Sequence, residues 1–150
     1  MNPLAIAIVA NLVLGVVLLG LLYRKRGDDT ERLTEPGQAL DRYRMVHPTA
    51  RGGASLAADG RAALIDLADG SAGLVERRGR RWNARALDPG VIAGVDDAND
   101  GAITIRFADF GWPKARVLLA DPVDRRRWTD RLAALRSAAA STRDKSVNHA

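Results

Sequence analysis

The sequence contains no cysteine, only two histidines, and few aromatic residues: three Trp, two Tyr and two Phe among 150 residues. Without cysteine the chain has no disulfide, no thiolate metal ligand and no cysteine nucleophile. His47 and His149 have no partner residues at the spacing of a metal site or a hydrolytic triad. The sequence also lacks a glycine-rich phosphate loop and paired carboxylates on one apolar face. We therefore predict a protein that is not an enzyme and that uses no cofactor and no metal.

The apolar residues are concentrated near the amino terminus. Leu4 to Leu22 carries no charge, and an apolar helix needs about 20 residues to cross a bilayer. Tyr23 and the basic cluster Arg24-Lys25-Arg26 follow. A cleaved signal would have basic residues before the apolar run and small residues after it. The pattern thus predicts a retained anchor over residues 1–23, in a single-pass inner-membrane protein whose carboxy-terminal domain is cytoplasmic.

Ala7, Asn11 and Gly15 are four residues apart and share one face of this predicted helix. Small residues allow helices to approach closely, and an amide can form a hydrogen bond with a neighbouring helix. The face is a hypothetical helix-packing site. The alternative is that Asn11 bonds within its own helix and that Ala and Gly are simply common in such helices.

The rest of the chain divides into a linker, a domain and a tail. Residues 24–37 are polar and end at Pro36-Gly37, which predicts a juxtamembrane linker. Leu40, Tyr43 and Val46 recur at helical spacing and predict a short helix over Gln38–Val46. The domain is expected to span residues 38–140, and residues 141–150 are expected to be a disordered tail.

Short segments separated by turn residues follow, and several of them alternate apolar and polar side chains. This spacing predicts about six antiparallel strands in a mainly-β domain. The strands are expected at Ala62–Ala68, Gly73–Arg77, Arg81–Leu87, Val91–Val95, Ala102–Ala108 and Ala115–Ala120.

A helix is predicted after the last strand, over residues 122–138. Asp121 is a suitable N-cap, and Pro122 fits the first helical position. Trp128, Leu132 and Leu135 form one apolar stripe. This stripe should pack against the strands.

The order of these elements resembles the pleckstrin-homology-like domains, including the GRAM type. The segments that carry the resemblance lie within residues 56–138: Ala63–Leu67, Trp82–Leu87, Val91–Val95, Ile103–Phe107, Val117–Leu119 and the helix Asp121–Leu135. The resemblance implies a strongly bent antiparallel barrel of seven strands that the carboxy-terminal helix caps at one end. The stretch near Ser55–Ala58 is the candidate for the seventh strand. It also implies that Trp128 packs into the end of the barrel.

The first hairpin departs from the members of this family that bind phosphoinositides. Those members carry basic residues there, whereas this chain reads Leu67-Ala68-Asp69-Gly70-Ser71. Recognition of a lipid headgroup is therefore not implied by the resemblance. Fold alone does not define function in any case.

Two groups of residues are candidates for binding. Arg77, Arg78, Arg80 and Arg81 surround one turn and, with the 24–26 cluster, could contact anionic lipids. The alternative is a solvated face on an arginine-rich protein. Phe110 and Trp112 lie in a turn with Gly and Pro, where they could contact a partner protein or enter the membrane interface, or instead fold back over the barrel.

The net charge is +5, from 23 Lys and Arg against 18 Asp and Glu. Because acidic residues are interspersed and stacking aromatics are few, we expect no nucleic-acid partner. No small-molecule substrate is evident. We predict a non-catalytic binding or scaffolding module, an accessory or assembly subunit of an inner-membrane protein complex. The alternatives are a peripheral sensor of anionic lipid and, less favoured, an enzyme whose site is not recognisable.

Overall fold

The computed structural model describes residues 31–147, which contain two helices and seven strands. Helix α1 spans Pro36–Arg44 and helix α2 spans Pro122–Val147. The strands between them are β1 Gly52–Leu56, β2 Ala62–Leu67, β3 Ala72–Arg78, β4 Arg81–Ala86, β5 Ile92–Asp97, β6 Ala102–Phe107 and β7 Lys114–Leu118.

The strands form two antiparallel sheets in sequence order. The first sheet has the order β1-β2-β3-β4 and the second has the order β5-β6-β7. A two-residue turn joins β3 to β4, because Arg78 pairs with Arg81 across the ladder. Gly79 opens this turn at φ +63°, a conformation that side-chain-bearing residues rarely adopt.

The main core contains apolar side chains from both sheets and from α2. Leu64 and Leu74 come from the first sheet, and Ile103 and Ile105 come from the second. All four are fully buried. Trp128 of α2 joins the same cluster at 1% exposure, so the carboxy-terminal helix completes this core.

A smaller core lies on the first sheet, under α1. Leu40 and Tyr43 of the helix pack with Ile65 and Val75 of the sheet. Along β2 and β3 these residues alternate with Leu64 and Leu74 of the main core, so the first sheet is buried on both faces.

Helix α2 is fixed by polar contacts as well as by packing. The Asp121 carboxylate accepts a hydrogen bond from the backbone N–H of Val123 (2.9 Å), as an N-cap residue does. Trp128 Nε1 donates to Ser55 Oγ (2.8 Å). Arg131 forms an ion pair with Asp66. These contacts join the helix to β1 and β2.

The predicted fold class, which places a transmembrane helix before the domain, is wrong, whereas the prediction of a mainly-β domain followed by a carboxy-terminal helix is confirmed. No helix within residues 31–147 is long and apolar enough to cross a membrane, since the one long helix, α2, carries many charged side chains. The strands form two sheets, and the break lies at Asp88-Pro89-Gly90, where proline offers no backbone donor. The predicted span, Leu4–Leu22, lies outside the described residues.

Three boundaries also differ from the prediction. Leu33 is buried and donates its backbone N–H to the carbonyl of Gly60 (2.8 Å), so part of the predicted linker packs on the domain. The seventh strand, Gly52–Leu56, begins three residues before the candidate stretch at Ser55–Ala58 and ends within it. Helix α2 continues to Val147, because residues after 138 are mostly compatible with a helix although they lack an apolar stripe.

Candidate binding surface

Two turns that are distant in sequence meet at one end of the domain. We name them the basic hairpin, residues 77–81, and the Phe110 turn, residues 109–112. Arg78 Nη1 donates a hydrogen bond to the carbonyl oxygen of Gly111 (3.1 Å). Its guanidinium carbon also lies 5.5 Å from the centre of the Trp112 ring, within the range of a cation–π contact. The two groups of candidate residues from the sequence therefore form one surface.

The Phe110 turn is held by contacts that begin at Asp109. Its Oδ1 accepts a hydrogen bond from the backbone N–H of Gly111 (2.8 Å), and its carboxylate forms an ion pair with Arg85. The Gly111 bond, followed by the bond and charge of Arg85, lowers the pKa of Asp109. The carboxylate is consequently ionised at neutral pH, and the turn is closed by a charged acceptor.

Arg85 links this turn to the first sheet. Its guanidinium carbon lies 4.6 Å from the ring centre of Phe107 and 4.9 Å from that of Trp112. Nη1 also reaches the carbonyl oxygen of Trp112 at 3.4 Å. The side chain is only 17% exposed. An arginine in this setting acts as a structural brace and has little freedom to contact a partner.

Trp112 is buried, at 9% exposure, and its ring nitrogen donates to Glu76 Oε2 at 2.9 Å. Burial raises the pKa of Glu76, although the Trp112 hydrogen bond and the Arg78 charge act in the opposite direction. Because β3 carries Glu76 and β7 follows Trp112, this bond joins the two sheets. Trp112 belongs to the main core.

Phe110 has the opposite environment. Its side chain is fully exposed, at 101%, in the middle of a turn whose neighbours are fixed. The sequence treated Phe110 and Trp112 as a pair, and the structure separates them into an exposed side chain and a buried one. The turn thus presents one large apolar group on an ordered backbone.

The basic hairpin adds positive charge beside this turn, which Arg78 contacts directly. Arg77 donates to the carbonyl of Gly79 and lies 5.8 Å from the Trp82 ring. Within residues 31–147, neither Arg80 nor Arg81 forms an ion pair with a carboxylate. Both side chains are exposed. Their charge is therefore available to an external partner.

Sequence reasoning missed the residues that build the surface. Alternation along the fourth strand places Arg85 on its polar face, and Asp109 lies in a turn, so neither residue stands out in the sequence. Nothing in the spacing of Glu76, Arg85 and Asp109 indicates that they surround one tryptophan. The pairing of β3 with β4 brings Glu76 and Arg85 close together, and the packing of the second sheet on the first brings Asp109 to them.

Some predicted site residues cannot be placed. Ala7, Asn11 and Gly15, together with Arg24, Lys25 and Arg26, lie outside the described residues. In the part that is described, no group of three or more His, Cys, Asp or Glu side chains could hold a metal ion. His47 stacks on Tyr43, with ring centres 4.5 Å apart.

Comparison of the chain with known protein families, with curated proteins and with solved structures gives no match. The resemblance to pleckstrin-homology-like domains therefore stays a prediction.

Proposed function

We propose that this domain is a non-catalytic binding module that contacts a partner protein through the Phe110 turn and the basic hairpin. The observation that carries the proposal is the full exposure of Phe110 on a turn held by Asp109, Arg85 and Trp112. An exposed phenylalanine forgoes about 1.5–3 kcal/mol that burial would contribute. A fixed aromatic side chain beside arginines is typical of the few residues that dominate binding energy at interfaces.

The chemistry of the surface defines the partner. Phe110 requires an apolar pocket, and Arg80 and Arg81 favour carboxylates around that pocket. A protein with an acidic rim around an apolar depression fits both requirements. That such a partner belongs to an inner-membrane complex stays a prediction from the sequence.

An anionic lipid surface is the second candidate, and the unpaired Arg80 and Arg81 support it. A basic side chain held close to such a surface contributes about 1 kcal/mol. Phe110 could then enter the region between headgroups and acyl chains. The two candidates use the same residues but differ in their dependence on lipid composition and salt.

The test compares Phe110→Ser with Val123→Ser in the full chain. Val123 is also exposed, at 77%, but lies at the start of α2, away from the candidate surface. We expect a partner that co-purifies in mild detergent to be lost with Phe110→Ser and retained with Val123→Ser. Equal retention in both variants would refute the proposal.

A second measurement separates protein from lipid. Vesicles containing about one third phosphatidylserine are compared with neutral vesicles, at low and high salt. Binding that requires phosphatidylserine, falls at high salt and is weakened by Arg80→Ala with Arg81→Ala would favour the lipid candidate. The matched control is Arg126→Ala with Arg136→Ala, which removes the same charge from exposed positions of α2.

A further inference from the structure

A separate cleft of about 380 Å³ lies between the end of α1 and the turn from β2 to β3. Its wall includes Tyr43, His47, Leu67, Asp69 and Ser71. The turn from β2 to β3 and the basic hairpin are at opposite ends of β3. The cleft is thus distinct from the surface of the proposed function. Its volume is in the range of pockets that hold small molecules.

Tyr43 supplies a polar group in this cleft that the protein does not use. The side chain is 2% exposed, and its ring packs so closely on Gly73 that a Cβ there would lie 2.4 Å from Cε2. No residue in the described part of the chain forms a hydrogen bond with its hydroxyl. No fully buried side-chain oxygen or nitrogen in that part lacks a partner. Because the Tyr43 hydroxyl has no partner, its oxygen is not fully buried. We infer that this oxygen is the atom through which Tyr43 contacts the cleft.

Two carboxylates act on this hydroxyl. Burial is the main cause that raises the pKa of Tyr43, and the negative charges of Asp88 and Asp69 raise it further. Neither aspartate forms an ion pair within residues 31–147, although Asp66, Asp96, Asp97, Asp100 and Asp109 all do. The hydroxyl of Tyr43, which has no hydrogen-bond partner in the described part of the chain, is therefore close enough to two unpaired carboxylates to be influenced by their charge.

The remaining wall defines the shape of a ligand. Leu67, Ala68 and Ala86 provide an apolar surface, and Asp69 is held in place because Ser71 donates both its N–H (2.9 Å) and its hydroxyl (2.5 Å) to Oδ1. The second carboxylate oxygen of Asp69 is left for another donor. Arg51 also lines the cleft, but it makes no ion pair within the described residues.

We propose that this cleft binds a small organic amine. Its ammonium group donates hydrogen bonds to the Tyr43 hydroxyl oxygen and to the Asp69 carboxylate, and its apolar part packs on Leu67 and Ala86. The negative charges of Asp69 and Asp88 favour a cation over an anion of the same shape. Cation binding here involves no covalent step.

The test uses three probes of one shape and different charge: benzylamine, benzyl alcohol and benzoate. Each is titrated into the isotope-labelled full chain while the backbone amide signals are followed by NMR. We expect benzylamine to give saturable shifts centred on Leu67, Ser71 and Ala86, and benzoate to give none there. Equal or tighter binding of benzoate, or no saturable shift with benzylamine, would overturn the proposal.

Two variants examine the contacts. Tyr43→Phe removes only the unpartnered hydroxyl and should lower the affinity for benzylamine about threefold or more. Asp69→Asn keeps the acceptor for Ser71 but removes the charge, and should weaken it about tenfold. Asp130→Asn, which alters an exposed aspartate on α2, is the matched control and should leave the affinity unchanged. If all three variants bind alike, the assigned site is wrong.

Discussion

The two sheets are built from strands of similar length but are covered differently. In the first sheet, Leu64 faces the main core and Ile65 faces α1, and both are fully buried. In the second sheet, Ile105 faces the main core while its neighbour Arg106 is exposed. The first sheet thus has two apolar faces and the second has one. A sheet with two apolar faces needs a second layer, and α1 provides it.

This difference is also visible in the sequences of the strands. β2 and β3 begin with continuous small and apolar residues, whereas β6 alternates apolar with polar side chains. Continuous apolar runs are typical of strands that are buried on both faces. We therefore expect the stability of the first sheet to depend on both cores and that of the second sheet to depend on the main core alone.

The largest effect should follow removal of the side chain that completes the main core. Trp128→Ala leaves a cavity between α2 and both sheets and removes the bond to Ser55, at an expected cost of about 3–5 kcal/mol in the free energy of unfolding. Urea denaturation measures it. Trp128→Phe, which retains most of the bulk, should cost less, and equal losses would mean that the hydrogen bond dominates.

The next largest effect on stability should distinguish the smaller core under α1 from the main core. In Gly73→Ala the new Cβ would meet the Tyr43 ring, so α1 must shift. We expect this shift to lower the free energy of unfolding by about 1–3 kcal/mol. Hydrogen exchange should increase in α1 and much less in β6. Gly53→Ala is the control, since a Cβ there meets nothing within 4 Å. Equal acceleration in both regions would show that the two cores unfold as one.

A smaller effect concerns the bond from Trp112 to Glu76, which joins the sheets. Because the folded-state pKa of Glu76 lies above its ordinary 4.5, the native state binds its proton more readily. Stability from this group is therefore present below about pH 4.5 and is lost as the pH rises through the folded pKa. Glu76→Gln removes this loss, so the variant should gain stability relative to the natural protein between acidic and neutral pH.

Asp109 provides the opposite sign for comparison. Its pKa is lowered from 3.8, so its contribution is present above that value and is lost as the pH falls through the folded pKa. Asp109→Asn should therefore lower the free energy of unfolding at neutral pH, and this loss should become smaller as the pH falls. Unfolding curves at several pH values measure both variants, and slopes of the same sign would contradict the assignment.

The smallest effect on stability is expected at Phe110. Phe110→Ser should change the free energy of unfolding by less than about 0.5 kcal/mol, because the side chain has no buried surface to lose. Trp112→Ser in the same turn should cost several times more, since that ring is buried and bonded to Glu76. Thermal unfolding of the two variants measures this contrast. A large loss for Phe110→Ser would place its side chain in the core.

Local pattern predicted most strands to within two residues at each end. Alternation identified β4 and β6, and Asp69-Gly70 marked the turn from β2 to β3. The start of β1 was missed, although the stretch near Ser55–Ala58 was a candidate strand, because Gly52-Gly53 reads as a chain breaker and the segment has no β-branched residue. Its pairing with β2 is a tertiary effect that the local sequence does not encode.

The candidate surface was predictable only in part. The charges of the basic hairpin and the aromatic side chains of the turn were evident, but their contact depends on Arg78 reaching Gly111 across the fold. The opposite environments of Phe110 and Trp112 could not be inferred, because residues two apart in an irregular turn follow no fixed period. The division of the strands into two sheets was likewise not evident from strand spacing.

Ser71 contacts both the edge of the cleft and the carboxy-terminal helix. Its N–H and hydroxyl bond to Asp69 at the edge of the cleft, while its carbonyl oxygen accepts a hydrogen bond from Arg131 of α2 (2.8 Å). Arg131 bonds to the carbonyl of Gly70 as well. If the last helix rotated or frayed, Arg131 would move, and its hydrogen bonds would displace the backbone that orients the Asp69 carboxylate. By reciprocity, an occupant that fixes this loop would also tighten the carboxy-terminal helix.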